Sequence, residues 1–144
     1  FAIDPERQSV TGHSMGGHGA LTLAIRHPGR FRSVSAFAPI ANPTASDWGR
    51  KQFDAYLGAD EATRAAHDAT LLMRQGGFDG PMLIDQGTED QFFDLLRPQA
   101  LAEAMAAQRQ DGVLRMQKGY DHSYFFISTF MEDHVTFHAE ALYA

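Results

Sequence analysis

Cysteine is missing from all 144 residues. Its absence excludes disulfides, thiolate metal sites and a cysteine nucleophile from this segment. Long apolar runs are missing too. None approaches the roughly 18 residues of a membrane-crossing helix, so neither a transmembrane span nor a membrane partner is expected. No basic stretch followed by an apolar one opens the chain, so no secretory signal is expected. With Phe1 rather than Met in first place, the sequence reads as an internal start. Basic residues are in deficit, Lys+Arg 12 against Asp+Glu 18, for a net charge of −6. With no basic patch, nucleic acid is not an expected partner. What is present is 44% hydrophobic, enough for a sizeable core in one domain's length of chain.

Proline and glycine punctuate this material into alternating strands and helices. Asp4-Pro5 marks an opening loop, and Gln8–Gly12 reads as a strand. A helix from Gly16 to about His27 is stopped by Pro28-Gly29, and Phe31–Phe37 reads as the next strand. A helix between two strands is the crossover unit of a parallel sheet. Pro39–Gly49 reads as a loop at that strand's carboxyl end, where open α/β sheets bind ligands. Trp48, the only tryptophan, either lines a pocket there or packs the loop. Short helices are expected over 52–57 and 61–67, with one more turn over 69–75. Pro81–Asp85 is a short apolar run expected to be a buried parallel strand, and a polar loop over 86–92 follows it. Arg97–Arg109 reads as a helix with Leu101 and Met105 on one face, and Val113–Lys118 alternates as a strand. A loop over 119–124 leads into a terminal helix, Phe125–Leu142, with a large apolar face.

Between the first strand and first helix lies Gly12-His13-Ser14-Met15-Gly16-Gly17. Gly-x-Ser-x-Gly in that context is the nucleophile elbow of α/β-hydrolases. The turn strains the serine backbone and needs tiny neighbours. Gly12 and Gly16 are expected to supply clearance, and Gly17 to let the helix pack close to the sheet. A serine that merely caps the helix is the plainer alternative, but it leaves three glycines in six residues unexplained.

A serine hydroxyl needs a base, and the base needs an orienting carboxylate. In this fold the chain order is serine, acid, histidine, with acid and histidine on loops after successive strands. Asp90 and His122 sit on two such loops, with room between them for one helix and one strand. Glu89 is the serious rival for the acid. Asp85 reads as still within its strand, and Asp121 adjoins the histidine. His134 and His138, at i, i+4 on the last helix, have a metal-binding spacing but no third ligand, so they read as a solvated face and no metal is expected. Met15 N–H is the expected first oxyanion donor; the second normally comes from a loop near an early strand. About four strands are legible where a complete sheet of this type has roughly eight. Residues 1–144 are therefore expected to form a partial α/β-hydrolase domain, its C-terminal half, from nucleophile strand to terminal helix.

Longer stretches carry a family resemblance. Gly-His-Ser-Met-Gly-Gly-His-Gly-Ala (12–20), Ser-Val-Ser-Ala-Phe-Ala-Pro-Ile (33–40), Asn-Pro (42–43) and Trp-Gly (48–49) resemble the S-formylglutathione hydrolase (esterase D) family. So do Leu-Ile-Asp-Gln-Gly (83–87), Asp-Gln-Phe (90–92) and Gly-Tyr-Asp-His-Ser-Tyr-Phe-Phe-Ile (119–127), the last being the most specific. Carried over by position, the resemblance implies a triad of Ser14, Asp90 and His122. It implies a cytoplasmic serine thioesterase, often a homodimer, that hydrolyses S-formylglutathione in formaldehyde detoxification without metal or organic cofactor. The sequence departs at Ala41, where some members carry a cysteine. A broad-specificity carboxylesterase and a non-catalytic, incomplete fragment are the competing expectations. The isolated fragment is expected to be unstable or to aggregate through an apolar edge strand.

Overall fold

A computed structural model describes residues 2–144. Four parallel strands form one sheet in chain order: β1 (Ser9–His13), β2 (Ser33–Phe37), β3 (Met82–Gly87) and β4 (Gly112–Gln117). Parallel neighbours need crossovers, and helices supply them. α1 (Met15–Arg26) joins β1 to β2. A 3-10 turn (Pro43–Ala45), α2 (Asp47–Tyr56), α3 (Glu61–Ala65) and α4 (Ala69–Gln75) join β2 to β3. α5 (Phe93–Leu96) and α6 (Pro98–Gln108) join β3 to β4, and α7 (Tyr124–Tyr143) closes the described chain. No helix among the described residues is long and apolar enough to cross a membrane.

Both faces of the sheet are covered, so the middle strands are buried throughout. On one face Val34 and Ala36 of β2, and Met82 and Ile84 of β3, pack against Leu21 of α1, Met73 of α4 and Leu101 of α6. On the other, Phe37, Leu96 and Phe126 form a smaller core under α7. This second face also carries Ser33, Ser35 and Asp85, which are completely buried.

The elements legible in the sequence are present, with three differences. α2 begins at Asp47, so Trp48 and Gly49 are helical rather than loop; Ser46 caps the helix by accepting from Gly49 N–H at 3.1 Å. β3 runs two residues past Asp85, to Gly87. The short helix α5 fills the gap between the loop expected over 86–92 and the helix expected from Arg97.

Candidate active site

Ser14 sits at the sharp turn between β1 and α1 with φ 57 and ψ −115, a strained conformation for a residue with a Cβ. Its surroundings hold it there. Ser14 N–H donates to Phe37 C=O at 2.9 Å, while its own carbonyl accepts from His18 N–H at 3.0 Å and Ile40 N–H at 3.2 Å. The hydroxyl makes no capping bond to the helix, so the capping alternative does not describe this serine. A Cβ on Gly12 would lie 2.2 Å from Gly16 C=O, and one on Gly17 would press on Pro39 at 3.1 Å. The turn thus requires Gly12, and Gly17 allows α1 close to the strand-end loop. Gly16 was expected to give clearance as well. Nothing among the described residues lies within 4 Å of a Cβ placed there, so its smallness is not a steric need of this turn. Met15 opens α1, where backbone N–H groups lack intrahelical acceptors and can meet an anion.

Asp90 and His122 meet across the loops after β3 and β4. His122 Nδ1 donates to Asp90 Oδ2 at 2.7 Å. Asp90, 5% exposed, also accepts from Phe92 N–H at 2.8 Å and Gln86 Nε2 at 3.0 Å. Burial pushes the Asp90 carboxyl pKa up, but the bonds from His122, Phe92 and Gln86 outweigh it and leave the value lowered. Gln86 joins this site although its sequence reads locally as loop, because β3 continues through it to Gly87. The approach of the loops depends on Gly87, where a Cβ would lie 2.2 Å from Tyr120 C=O. Glu89, the rival acid, is exposed, and Asp121 is exposed and accepts from Ser123 N–H at 3.0 Å. Asp85 is committed elsewhere, to Arg115, Gln117 and His134.

Ser14 reaches this pair less directly. No hydrogen bond among the described residues joins it to His122; its neighbour His13 lays its ring 4.4 Å from the His122 ring. Burial first, then the nearby His122, lower the His13 pKa. With the His122 proton directed at Asp90, the neutral ring leaves Nε2 as an acceptor, which is what a general base needs.

A groove of about 440 Å³ opens beside the elbow, lined by Met15, His18, Ile40, Trp48, Phe53 and Tyr56 among others. Trp48 both lines it and packs, with its ring 4.7 Å from Phe92, which stands edge-on to His122 at 5.2 Å. Through Phe92, the aromatic packing of Trp48 connects the wall of this groove to His122.

His134 and His138 correct the expectation of a solvated face. His134 is 1% exposed, and all four ring nitrogens of the pair are engaged with Ser33, Ser35 or Asp85. No nitrogen of either ring is left to bind metal.

A parallel sheet clad on both faces, with a serine elbow after its first described strand and the acid and histidine loops after its third and fourth, is an α/β-hydrolase fold. The chain belongs to the esterase family: the family model described as "Putative esterase" matches residues 1–137. It is 65% identical to an S-formylglutathione hydrolase of Paracoccus denitrificans, over 99% of this chain and 51% of the relative. A mouse S-formylglutathione hydrolase is 50% identical, over 100% of this chain and 52% of that protein. The solved structure of an S-formylglutathione hydrolase from Agrobacterium tumefaciens superposes with a TM-score of 0.92 at 50% identity, covering 96% of this chain and 50% of that one. The chain spans about half the length of the curated relatives it matches.

Proposed function

We propose that residues 1–144 contribute the C-terminal half of an α/β-hydrolase domain and carry a Ser14–His122–Asp90 triad that hydrolyses S-formylglutathione. The observation that carries the reading is the 2.7 Å bond from His122 Nδ1 to buried Asp90, on the loops facing a strained serine whose hydroxyl caps nothing. The similarity to S-formylglutathione hydrolases supplies the substrate. The chemistry is acyl transfer in two steps. His122 Nε2 takes the Ser14 proton as Oγ attacks the formyl carbon, and Met15 N–H donates to the developing oxyanion. Collapse breaks the C–S bond; glutathione leaves as a thiol with the proton from His122. Water, deprotonated by His122, then attacks the formyl-serine, and formic acid departs as Ser14 regains its proton. Trp48 borders the acyl or thiol side of the substrate.

In the cell this is a step of formaldehyde detoxification in the cytoplasm, performed by a homodimer and needing no cofactor. A second reading, a short-chain carboxylesterase with the same triad, is favoured by the groove at Trp48, which is apolar and far larger than a formyl group. Turnover of S-formylglutathione and p-nitrophenyl acetate by the whole protein, with Ser14→Ala as control, tests both. A serine-dependent preference for the thioester is the expected result. Better ester turnover would favour the carboxylesterase, and activity that survives Ser14→Ala would remove the triad.

A further inference from the structure

The polar face of β2 meets two histidines of α7 in an arrangement whose protons can be counted. Ser35 Oγ has three partners. It donates to Thr11 Oγ1 at 2.8 Å, and it lies 2.8 Å from His138 Nε2 and 2.8 Å from His134 Nδ1. A hydroxyl has one proton and two lone pairs. With that proton directed at Thr11, each imidazole nitrogen facing Ser35 must present an N–H. The other nitrogen of His134, Nε2, lies 2.9 Å from Asp85 Oδ2. Burial raises the Asp85 pKa, yet hydrogen bonds from His134, Arg115 and Gln117 bring it down to about 2, so Asp85 is a carboxylate and accepts. This donor count calls for a proton on each nitrogen of His134.

His138 differs. Its Nε2 donates to Ser35, and its Nδ1 lies 2.7 Å from Ser33 Oγ, which can give it a proton while accepting one from Ser9 Oγ at 2.6 Å. Burial and repulsion from His134 lower its pKa to about 4, in agreement with a single ring proton. A cation at His134 is balanced. Asp85 lies between it and Arg115, at 2.9 Å and 2.5 Å, and Arg115 continues to Asp133 at 2.8 Å. The titratable and charged groups around His134 are thus Asp85 from β3, Arg115 from β4, and Asp133 and His138 from α7 itself. Its ring also stacks on Phe37, with centroids 3.7 Å apart and planes 18° from parallel, a favourable seat for a cation.

We propose that His134 is a positioning residue, a buried imidazolium between Asp85 and Ser35 that fixes α7 on the sheet and so holds His122 against Asp90. α7 begins at Tyr124, two residues after His122, with Phe126 fully buried against Phe37 in its first turn. A shift of the helix therefore displaces His122 relative to Asp90 and Ser14. The consequence for turnover rests on His122 being the base; the protonation state of His134 does not.

Two measurements on the whole protein test it. Nitrogen-15 NMR of the wild type at neutral pH should find protons on both ring nitrogens of His134, and one ring proton would overturn the imidazolium. His134→Phe keeps the stack on Phe37 and deletes both bonds. It should lower kcat about tenfold or more with KM within about twofold, since small displacements of a base are costly. The Nδ1 proton resonance of His122 should shift in parallel. Ser35→Ala, which removes the shared acceptor, should move both readouts the same way and serves if His134→Phe does not fold. Unchanged kcat and an unshifted His122 resonance in a folded variant would overturn the positioning role. Two protons on His134, together with full activity in Ser14→Ala, would instead retire the triad while leaving the docking of α7 intact.

Discussion

Asp90 accepts three hydrogen bonds, and each comes from a different part of the chain: His122 from the loop after β4, Gln86 from β3, and Phe92 from its own loop. Replacing it with asparagine puts an amide where three donors converge, and the His122 tautomer is no longer enforced. Asp90→Asn should lower kcat by about 10⁴ while leaving the fold intact, the scale seen when a triad acid loses its charge. Glu89→Gln, one residue away but exposed, should change kcat little; the reverse pattern would move the acid to Glu89. At the elbow the argument is steric. Gly12→Ala drives a methyl to 2.2 Å from Gly16 C=O, so thermal unfolding should show a loss of about 1–3 kcal/mol, as overpacking does. Gly16→Ala meets open space and should cost far less. The chain order of serine, acid and histidine made Ser14, Asp90 and His122 legible as candidates before any coordinates. Gln86 was not, because its role depends on β3 continuing past Asp85, and a polar Gln-Gly pair reads locally as the start of a loop.

Helix α7 shows what a one-dimensional pattern conceals about an element. Two histidines at i, i+4 on a helix read as a wet face, yet both rings lie against the sheet. The signal was in another element. β2 is buried from end to end and alternates Ser33, Val34, Ser35, Ala36, Phe37. Buried hydroxyls need partners, and a strand with two of them on one face calls for polar side chains opposite. Likewise Asp85 in a buried strand requires a cation, which its register partner Arg115 supplies. α2 was begun too late because Pro43, Ser46 and Gly49 all signal loop, although Ser46 is the cap. The half-buried His138 gives this interface a pH dependence. Its folded pKa of about 4 lies below the ordinary 6.5, so the unfolded chain binds the proton more readily. The contribution is full above 6.5 and is lost as pH falls toward 4, worth at most about 2 kcal/mol after allowing for partial solvent access. Asp85 contributes above 3.8, and that part is lost as pH falls through about 2. Urea titrations across this range should show the upper step shrink in His138→Gln relative to the wild type, the remainder coming from His13 and His18, whose pKa values burial also lowers. A step of equal size in both would assign it to other groups.

On the scale of the whole molecule, the described sheet has two edge strands, β1 and β4. β2 and β3 are flanked on both sides, whereas β1, which delivers the serine, pairs only with β2 among the described residues. Its outer edge offers unpaired backbone donors and acceptors, a template for another strand. Close to that strand, His13 Nε2 and His18 Nε2 are buried without partners, and each such atom costs about 1–3 kcal/mol. On α7, Tyr124 is 85% exposed and Phe125 72%, which adds apolar surface at its first turn. The relatives are about twice as long, so in them further chain is available to meet such groups. The 144 residues expressed alone should therefore associate. Light scattering should show mass that grows with protein concentration, together with a broad or irreversible thermal transition. A monomer with a sharp, reversible transition would show that the unpaired edge and the two orphaned imidazole nitrogens are tolerated, and that half the length of its relatives suffices for this fold.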